Sequence, residues 1–82
     1  MTLQQLFYAL TIAKVGSMNK AAESLYISQP SLTSAIKELE KECGISIFLR
    51  TGKGVVPTNE GAEFLMSARQ VYQQYELLQE KY

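Results

Sequence analysis

Apolar residues recur along most of this 82-residue chain at the three- and four-residue spacing of amphipathic helices. The spacing predicts a first helix over about residues 3–15, with Thr2 and Gln5 as a capping box and Gly16 as its C-terminal stop. It predicts a second, short helix after Ser17, with two consecutive alanines on its apolar side. The chain therefore begins with two helices separated by a sharp turn.

The next helix, over residues 28–42, is the element around which the chain is organised. Ser28 is suited to cap it, and Pro30 stands in the first turn, where a missing N–H costs nothing. Its apolar stripe comprises Leu32, Ala35, Ile36, Leu39 and Cys43. Its opposite face comprises Gln29, Pro30, Thr33, Ser34, Lys37 and Lys41.

The outer face of this third helix is short, hydroxylic and basic, and such a face fits a DNA major groove. The turn that joins it to the second helix is only about three residues long, which is typical of a helix-turn-helix unit, here at about residues 18–37. An ordinary surface helix is the alternative interpretation.

After Gly44 the helical period ends, and the pattern predicts a two-stranded hairpin over about residues 45–57. The apolar positions are Ile45, Ile47 and Phe48 before the turn, and Val55 and Val56 after it. The turn itself, R-T-G-K-G, is rich in glycine and carries Arg50 and Lys53. Beside a helix-turn-helix, such a hairpin is the wing of a winged-helix domain, whose cations can contact phosphates or the minor groove. A plain surface hairpin is the alternative.

A long helix is predicted from Thr58 to the end of the chain, with a heptad-like apolar seam. The seam comprises Phe64, Ala68, Val71, Tyr75, Leu78 and Tyr82, supplemented by Leu65 and Tyr72. Because this helix is longer than the small core can cover, we expect it to pair with the same helix of a second chain. Packing onto the first helix of its own chain is the alternative. The predicted interface residues are Phe64, Ala68, Val71, Tyr72, Tyr75 and Leu78.

The elements together predict a mainly α fold, a winged helix-turn-helix. It comprises a three-helix core and a two-stranded wing over residues 1–58, followed by a linker or dimerisation helix over residues 59–82.

Composition supports a globular chain whose charge is unevenly distributed. Hydrophobic residues make up 46% and charged residues 20%, with no apolar run long enough to span a membrane. The net charge is zero, yet residues 1–58 hold six basic residues against four glutamates. The positive charge thus accompanies the elements predicted to face DNA.

No catalytic or metal-binding pattern is present. The chain has no histidine, and its one cysteine, Cys43, lies on an apolar stripe, which favours a buried structural thiol. Gly52 and Lys53 do not continue into a P-loop, because Gly54 stands where that loop needs serine or threonine. We expect no enzymatic activity, no metal and no cofactor, and the single cysteine favours a reducing, cytoplasmic setting.

Three runs of residues carry a family resemblance. They are L-F-Y-A-L, then G-S-M-N-K-A-A-E-S-L-Y-I-S-Q-P-S-L-T-S-A-I-K-E-L-E, then G-I-S-I-F-L-R-T-G-K-G-V-V-P-T-N-E-G. In this order they resemble the N-terminal domain of LysR-type transcriptional regulators, from Leu3 to about Gly61, with the remainder similar to the family's linker helix.

The resemblance implies a set of DNA-binding residues. They are Ser17, Lys20, Ser28, Gln29, Pro30, Ser31, Thr33, Ser34, Lys37, Arg50 and Lys53. Within this set, Ser17 and Lys20 are implied to contact phosphates, and Lys53 stands where the family usually has arginine. Thr33 replaces a usual serine, and Ser34 stands where arginine is common, so a long-reach contact to guanine is absent there.

The resemblance also implies how such a domain acts. A bacterial regulator of this family binds double-stranded DNA as a homodimer through its C-terminal helix, at an interrupted palindrome. Family members continue into an effector-binding domain, which this chain does not contain, and a small-molecule inducer would bind only there. The alternative is a protein-interaction or dimerisation module that retains the fold without reading DNA.

Overall fold

The structure, a computed structural model, describes all of residues 1–82 as four helices and one antiparallel pair of strands. In chain order these are α1 (Leu3–Val15), α2 (Met18–Ser24), α3 (Gln29–Cys43), β1 (Phe48–Thr51), β2 (Gly54–Pro57) and α4 (Asn59–Lys81). The first three helices surround the core, the hairpin projects as a wing, and α4 follows. The predicted fold class, a mainly α winged helix-turn-helix with a long last helix, is confirmed.

The helix boundaries follow from local capping. The Gln5 amide donates to the Thr2 hydroxyl and the Gln5 side chain accepts from the Thr2 amide, each at 3.0 Å, so the predicted capping box is confirmed. Ser17 and Ser28 cap α2 and α3 as expected. Gly16 ends α1 with φ at +77°, a left-handed conformation that glycine adopts without strain.

The core forms where α1, α2 and α3 meet the root of the wing. Its main cluster comprises Ala9, Ile12, Met18, Ala21, Ala22, Leu32, Ile36, Leu39, Ile47, Val55 and Leu65. The predicted stripe of α3 accounts for three of these residues, while Ala35 and Cys43 at its margins are half-buried. Ala21 and Ala22 are both buried, which allows α2 to pack closely against its neighbours.

The first strand of the wing begins later than the sequence pattern indicated. Pairing runs from Phe48 opposite Pro57 to Thr51 opposite Gly54, so residues 45–47 lie outside the sheet. Ile47 is fully buried, and its carbonyl accepts from the Thr58 amide at 2.9 Å. The apolar alternation at residues 45–48 therefore marks a buried connection that leads into the strand.

Two contacts fix the wing to the helices. The Val55 side chain belongs to the core cluster, and its amide donates to the Gly16 carbonyl at 3.1 Å. Gly61, at the start of α4, packs directly against the Ile47 carbonyl, where a Cβ would lie about 2.0 Å from that oxygen. The hairpin is thus anchored at two places, at the start of β2 and in the connection just before β1.

The apolar seam of α4 divides into two parts. Leu65 and Ala68 are buried within the chain, and the rings of Tyr72 and Phe7 of α1 stack with centroids 5.2 Å apart. For this first part, packing onto α1, the alternative to a partner helix, is what the structure shows. Ala68, one of the predicted interface residues, is only 3% exposed within the single chain.

The second part of the seam, and the C-terminal end of α4, leave apolar side chains in solvent. Val71 is 51% exposed, Leu78 is 58% exposed and Tyr82 is almost fully exposed. At 23 residues, α4 runs roughly 35 Å, well past the core that covers its first turns. None of the four helices combines the length and hydropathy needed to cross a membrane.

Candidate nucleic-acid interface

The outer face of α3 gathers most of the residues that the sequence singled out. Five side chains line one shallow depression there: Gln29, Pro30, Thr33, Ser34 and Lys37. All lie opposite the buried stripe of the helix, as the helical period predicts. No side chain longer than glutamine precedes Lys37, so the surface is low enough for close approach of base-pair edges.

The N-terminal end of α3 presents hydroxyl groups. The Ser31 amide donates to the Ser28 hydroxyl oxygen at 3.2 Å, and the Ser28 hydroxyl donates to the Ser31 hydroxyl oxygen at 2.8 Å. Each hydroxyl carries a single proton, so that of Ser31 is left free to donate outward. The free Ser31 proton and the positive end of the helix dipole both favour binding of a phosphate at this end of α3.

The start of α2 has a similar hydroxyl. Ser17 caps the helix by accepting from the Lys20 amide at 3.2 Å, which leaves its own proton free. Lys20 itself is exposed. The two residues that the family resemblance implied as phosphate contacts therefore lie together, one turn apart.

A groove between α3 and the wing brings a wing cation to the recognition surface. Thr33 and Lys37 line it from the helix, and Phe48 and Arg50 from β1. Lys53 lies apart, exposed in the turn of the hairpin, where its amide donates to the Thr51 hydroxyl at 3.3 Å. Arg50 thus extends the surface of α3, whereas Lys53 occupies the tip of the wing.

The predicted DNA-facing cations are free of acidic partners. The one ion pair in the chain joins the Met1 ammonium group to Glu42 at 2.5 Å, on an exposed surface. Lys20, Lys37, Arg50 and Lys53 each lie more than 4 Å from any carboxylate oxygen. Their charges are therefore available to phosphates without the cost of breaking an internal pair.

Sequence reasoning missed Glu40. The sequence patterns assign this residue no role, yet its carboxylate accepts hydrogen bonds from the Ile47 and Phe48 amides at 2.6 and 3.3 Å. The sequence signal that could have found it is the L-E pair among the residues that carry the family resemblance. No group of three or more potential metal ligands converges anywhere in the chain.

Comparison with known proteins identifies the family. The family model described as "Bacterial regulatory helix-turn-helix protein, lysR family" matches residues 3–62, which span the three core helices, the wing and the first turn of α4. The chain belongs to the LysR family. The resemblance seen in the sequence is thereby confirmed, and the chain is a LysR-type helix-turn-helix DNA-binding domain.

One relative illustrates the likeness in sequence. The HTH-type transcriptional regulator TfdT of Cupriavidus pinatubonensis is 42% identical over 71 residues, which cover 87% of this chain. The same residues cover only 31% of TfdT, so this LysR-type chain spans about a third of that relative's length.

Two solved structures illustrate the likeness in fold. The crystal structure of the CbnR DBD–DNA complex aligns with a TM-score of 0.91 at 31% identity, covering 99% of this chain and 93% of that one. The BenM DBD/benA site 1 DNA complex aligns with a TM-score of 0.92 at 32% identity, covering 99% and 91%. Both are DNA complexes whose protein chain has nearly the extent of this LysR-type domain.

Proposed function

We propose that this LysR-type domain reads double-stranded DNA with α3 in the major groove and the wing against the minor groove or the adjacent backbone. The observation that carries the proposal is the depression on α3, whose five lining residues share one exposed face beside the groove that holds Arg50. The likeness to two solved complexes with DNA supports DNA binding by this domain.

The residues divide by role. Gln29, Thr33 and Ser34 present amide and hydroxyl groups that can hydrogen-bond to base edges, while Pro30 and Ser31 fit closely at the end of the helix. The remaining residues contact phosphates and so fix the position of the domain on the duplex. They are Ser17, Lys20, Ser28, Lys37, Arg50 and Lys53. Because Ser34 is too short for the bidentate contact that arginine makes to guanine, base reading by Gln29, Thr33 and Ser34 relies on amide and hydroxyl hydrogen bonds.

The second part of the α4 seam supports a homodimer. Val71 and Leu78 stand seven residues apart on one face of the helix and are both more than half exposed. Tyr75 lies between them on the same seam and is half-buried. We infer that the α4 helices of two chains pair here, and that a two-fold dimer binds two half-sites of an interrupted palindrome.

The domain acts by binding, without a chemical step. TfdT is named a transcriptional regulator, and we infer that this domain directs such a regulator to its operator. Any response to a small-molecule inducer belongs to an effector-binding domain outside residues 1–82.

The experiment that tests this function is selection from a pool of random duplexes at two salt concentrations, followed by sequencing. The proposal predicts recovery of a symmetric, spaced motif that persists at the higher salt concentration. Recovery of sequence-blind binding that is lost on raising the salt would contradict specific reading. No binding at either salt concentration would favour the protein-interaction module instead.

A further inference from the structure

Glu40 accepts most of the amide hydrogen bonds in the connection between the recognition helix and the wing. Of the five amides from Gly44 to Phe48, four donate to this one residue. Its backbone carbonyl accepts from Gly44 at 2.8 Å and from Ile45 at 3.3 Å. Its carboxylate oxygen Oε2 accepts from Ile47 at 2.6 Å and from Phe48 at 3.3 Å. On its amide side, the path of the chain from α3 into β1 is therefore set mainly by hydrogen bonds to Glu40, while Thr58 binds carbonyls of the same segment.

The carboxylate lies close to the cations that are proposed to bind DNA. Glu40 lines the same groove between α3 and the wing as Lys37 and Arg50, one turn of helix beyond Lys37. Arg50 follows Phe48 by two residues on β1, so both side chains lie on the same side of the strand. Fixing the Phe48 amide to α3 consequently fixes where Arg50 lies relative to Lys37.

We propose that Glu40 is a positioning residue for DNA binding, which joins the recognition helix and the wing into one rigid DNA-binding unit. This inference rests on the DNA contact proposed for Arg50. Glu40 acts through the backbone of β1, because neither Lys37 nor Arg50 lies within 4 Å of its carboxylate. Its charge is satisfied by amides, and the two cations stay available to phosphates.

Electrostatics alone predicts the opposite effect of removing Glu40. A carboxylate beside the DNA-facing groove repels phosphates, so deleting its charge without disturbing the wing would strengthen binding. Loss of affinity in a Glu40 variant therefore reports on position, since the charge change acts in the other direction. Glu38 offers the matched control, because it is an exposed glutamate on the same helix that makes no hydrogen bond.

The test measures dissociation constants of the 82-residue chain for the duplex selected from the random pool. We expect Glu40→Ala to bind about tenfold more weakly, a change of roughly 1.4 kcal/mol. Glu38→Ala should bind as tightly as the parent or more tightly. Glu40→Gln keeps an acceptor oxygen and should recover most of the affinity. If circular dichroism shows Glu40→Ala to be unfolded, Glu40→Met, which has a similar shape but no acceptor oxygen, takes its place and should show the same loss.

A double-mutant cycle separates positioning from general destabilisation. If Glu40 acts through Arg50, the double variant Glu40→Ala, Arg50→Ala should bind little worse than Arg50→Ala alone. The losses from Glu40→Ala and Gln29→Ala should multiply, because Gln29 lies at the far end of α3. If Glu40→Ala merely loosened the fold, its loss of affinity would combine in the same way with the loss from Arg50→Ala and with the loss from Gln29→Ala.

Two results would overturn the proposal in distinguishable ways. If Arg50→Ala binds weakly but its loss multiplies with that of Glu40→Ala, Glu40 does not act through the wing, and the proposed DNA contact of Arg50 stands. If Arg50→Ala binds like the parent, the proposed wing contact itself fails, and the role assigned to Glu40 fails with it.

Discussion

Gly61, in the first turn of α4, lies against the carbonyl oxygen of Ile47 in the connection between α3 and the wing. That oxygen accepts from the Thr58 amide at 2.9 Å, and the Thr58 hydroxyl accepts from the Gly61 amide at 2.8 Å. A Cβ at residue 61 would meet backbone atoms of Ile47, with its oxygen about 2.0 Å away. The segment from Thr58 to Gly61 thus fixes how α4 leaves the domain.

Gly61→Ala should destabilise the domain by about 2–3 kcal/mol, because backbone atoms of Ile47 cannot move aside as a flexible side chain can. Helix propensity alone predicts the reverse, a gain of about 1 kcal/mol. Urea denaturation followed by circular dichroism measures the difference. Gly52→Ala is the control, since no atom lies within 4 Å of a Cβ there. Equal stability of the two variants would contradict the close packing of Gly61.

Tyr26 is strained in the turn between α2 and α3. Its φ is +58°, a left-handed conformation that costs a residue with a Cβ about 1–2 kcal/mol, and 94% of its side chain is exposed. Tyr26→Gly should therefore stabilise the domain by about 0.5–1 kcal/mol in thermal or urea unfolding, after the greater chain entropy of glycine is subtracted.

The control for this prediction is Tyr26→Phe, which keeps the Cβ and should leave the free energy of unfolding unchanged. A loss of stability in Tyr26→Gly would mean that the exposed ring contributes more than the backbone strain costs.

Features with a local cause were predicted correctly from the sequence. The hydroxyls of Thr2, Ser17 and Ser28 bond to amides three residues ahead, and the buried positions of α3 follow from the 3.6-residue period. The depression on the outer face of α3 is the complement of that stripe, and was therefore predictable as well.

Features with a distant cause were not predictable in this way. Residues 45–47 alternate like a strand, but their hydrogen bonds go to Glu40 and Thr58, and no pattern within the segment reveals those partners. The apolar seam of α4 forms one continuous stripe in the sequence. The sequence does not distinguish a side chain that packs onto α1, such as Tyr72, from one left exposed, such as Val71. Tertiary packing decides both cases.

Substitutions of Gln29 and Lys37 should have different effects on DNA binding: the first on sequence specificity, the second on affinity for any duplex. Gln29→Ala should lower the ratio of specific to non-specific affinity, by about 1–3 kcal/mol if the amide reads one base pair. Lys37→Gln should weaken binding to all duplexes alike and reduce the slope of log K against log salt by about 1. Titrations of each variant on the selected and a scrambled duplex, at several salt concentrations, measure both quantities. If Gln29→Ala weakened both duplexes equally, Gln29 would be a positioning residue.

The exposed part of the α4 seam should hold two chains together. Replacing Val71 and Leu78 with glutamate would bury unpaired charges in a helix–helix interface, so the dimer should dissociate about 3 kcal/mol more easily, or roughly a hundredfold. Sedimentation equilibrium measures the shift.

Met66→Glu is the control for the dimer prediction. It introduces the same charge at an exposed methionine that lies about 140° around the helix from Val71, and it should leave the dimer intact. On the palindromic duplex, the Val71 and Leu78 variant should lose the gain that comes from binding two half-sites at once, while its affinity for a single half-site stays unchanged. An equal loss on whole and half sites would mean that the glutamates disturb the fold. A dimer that stays intact in the folded Val71 and Leu78 variant would contradict pairing of two chains through the α4 seam.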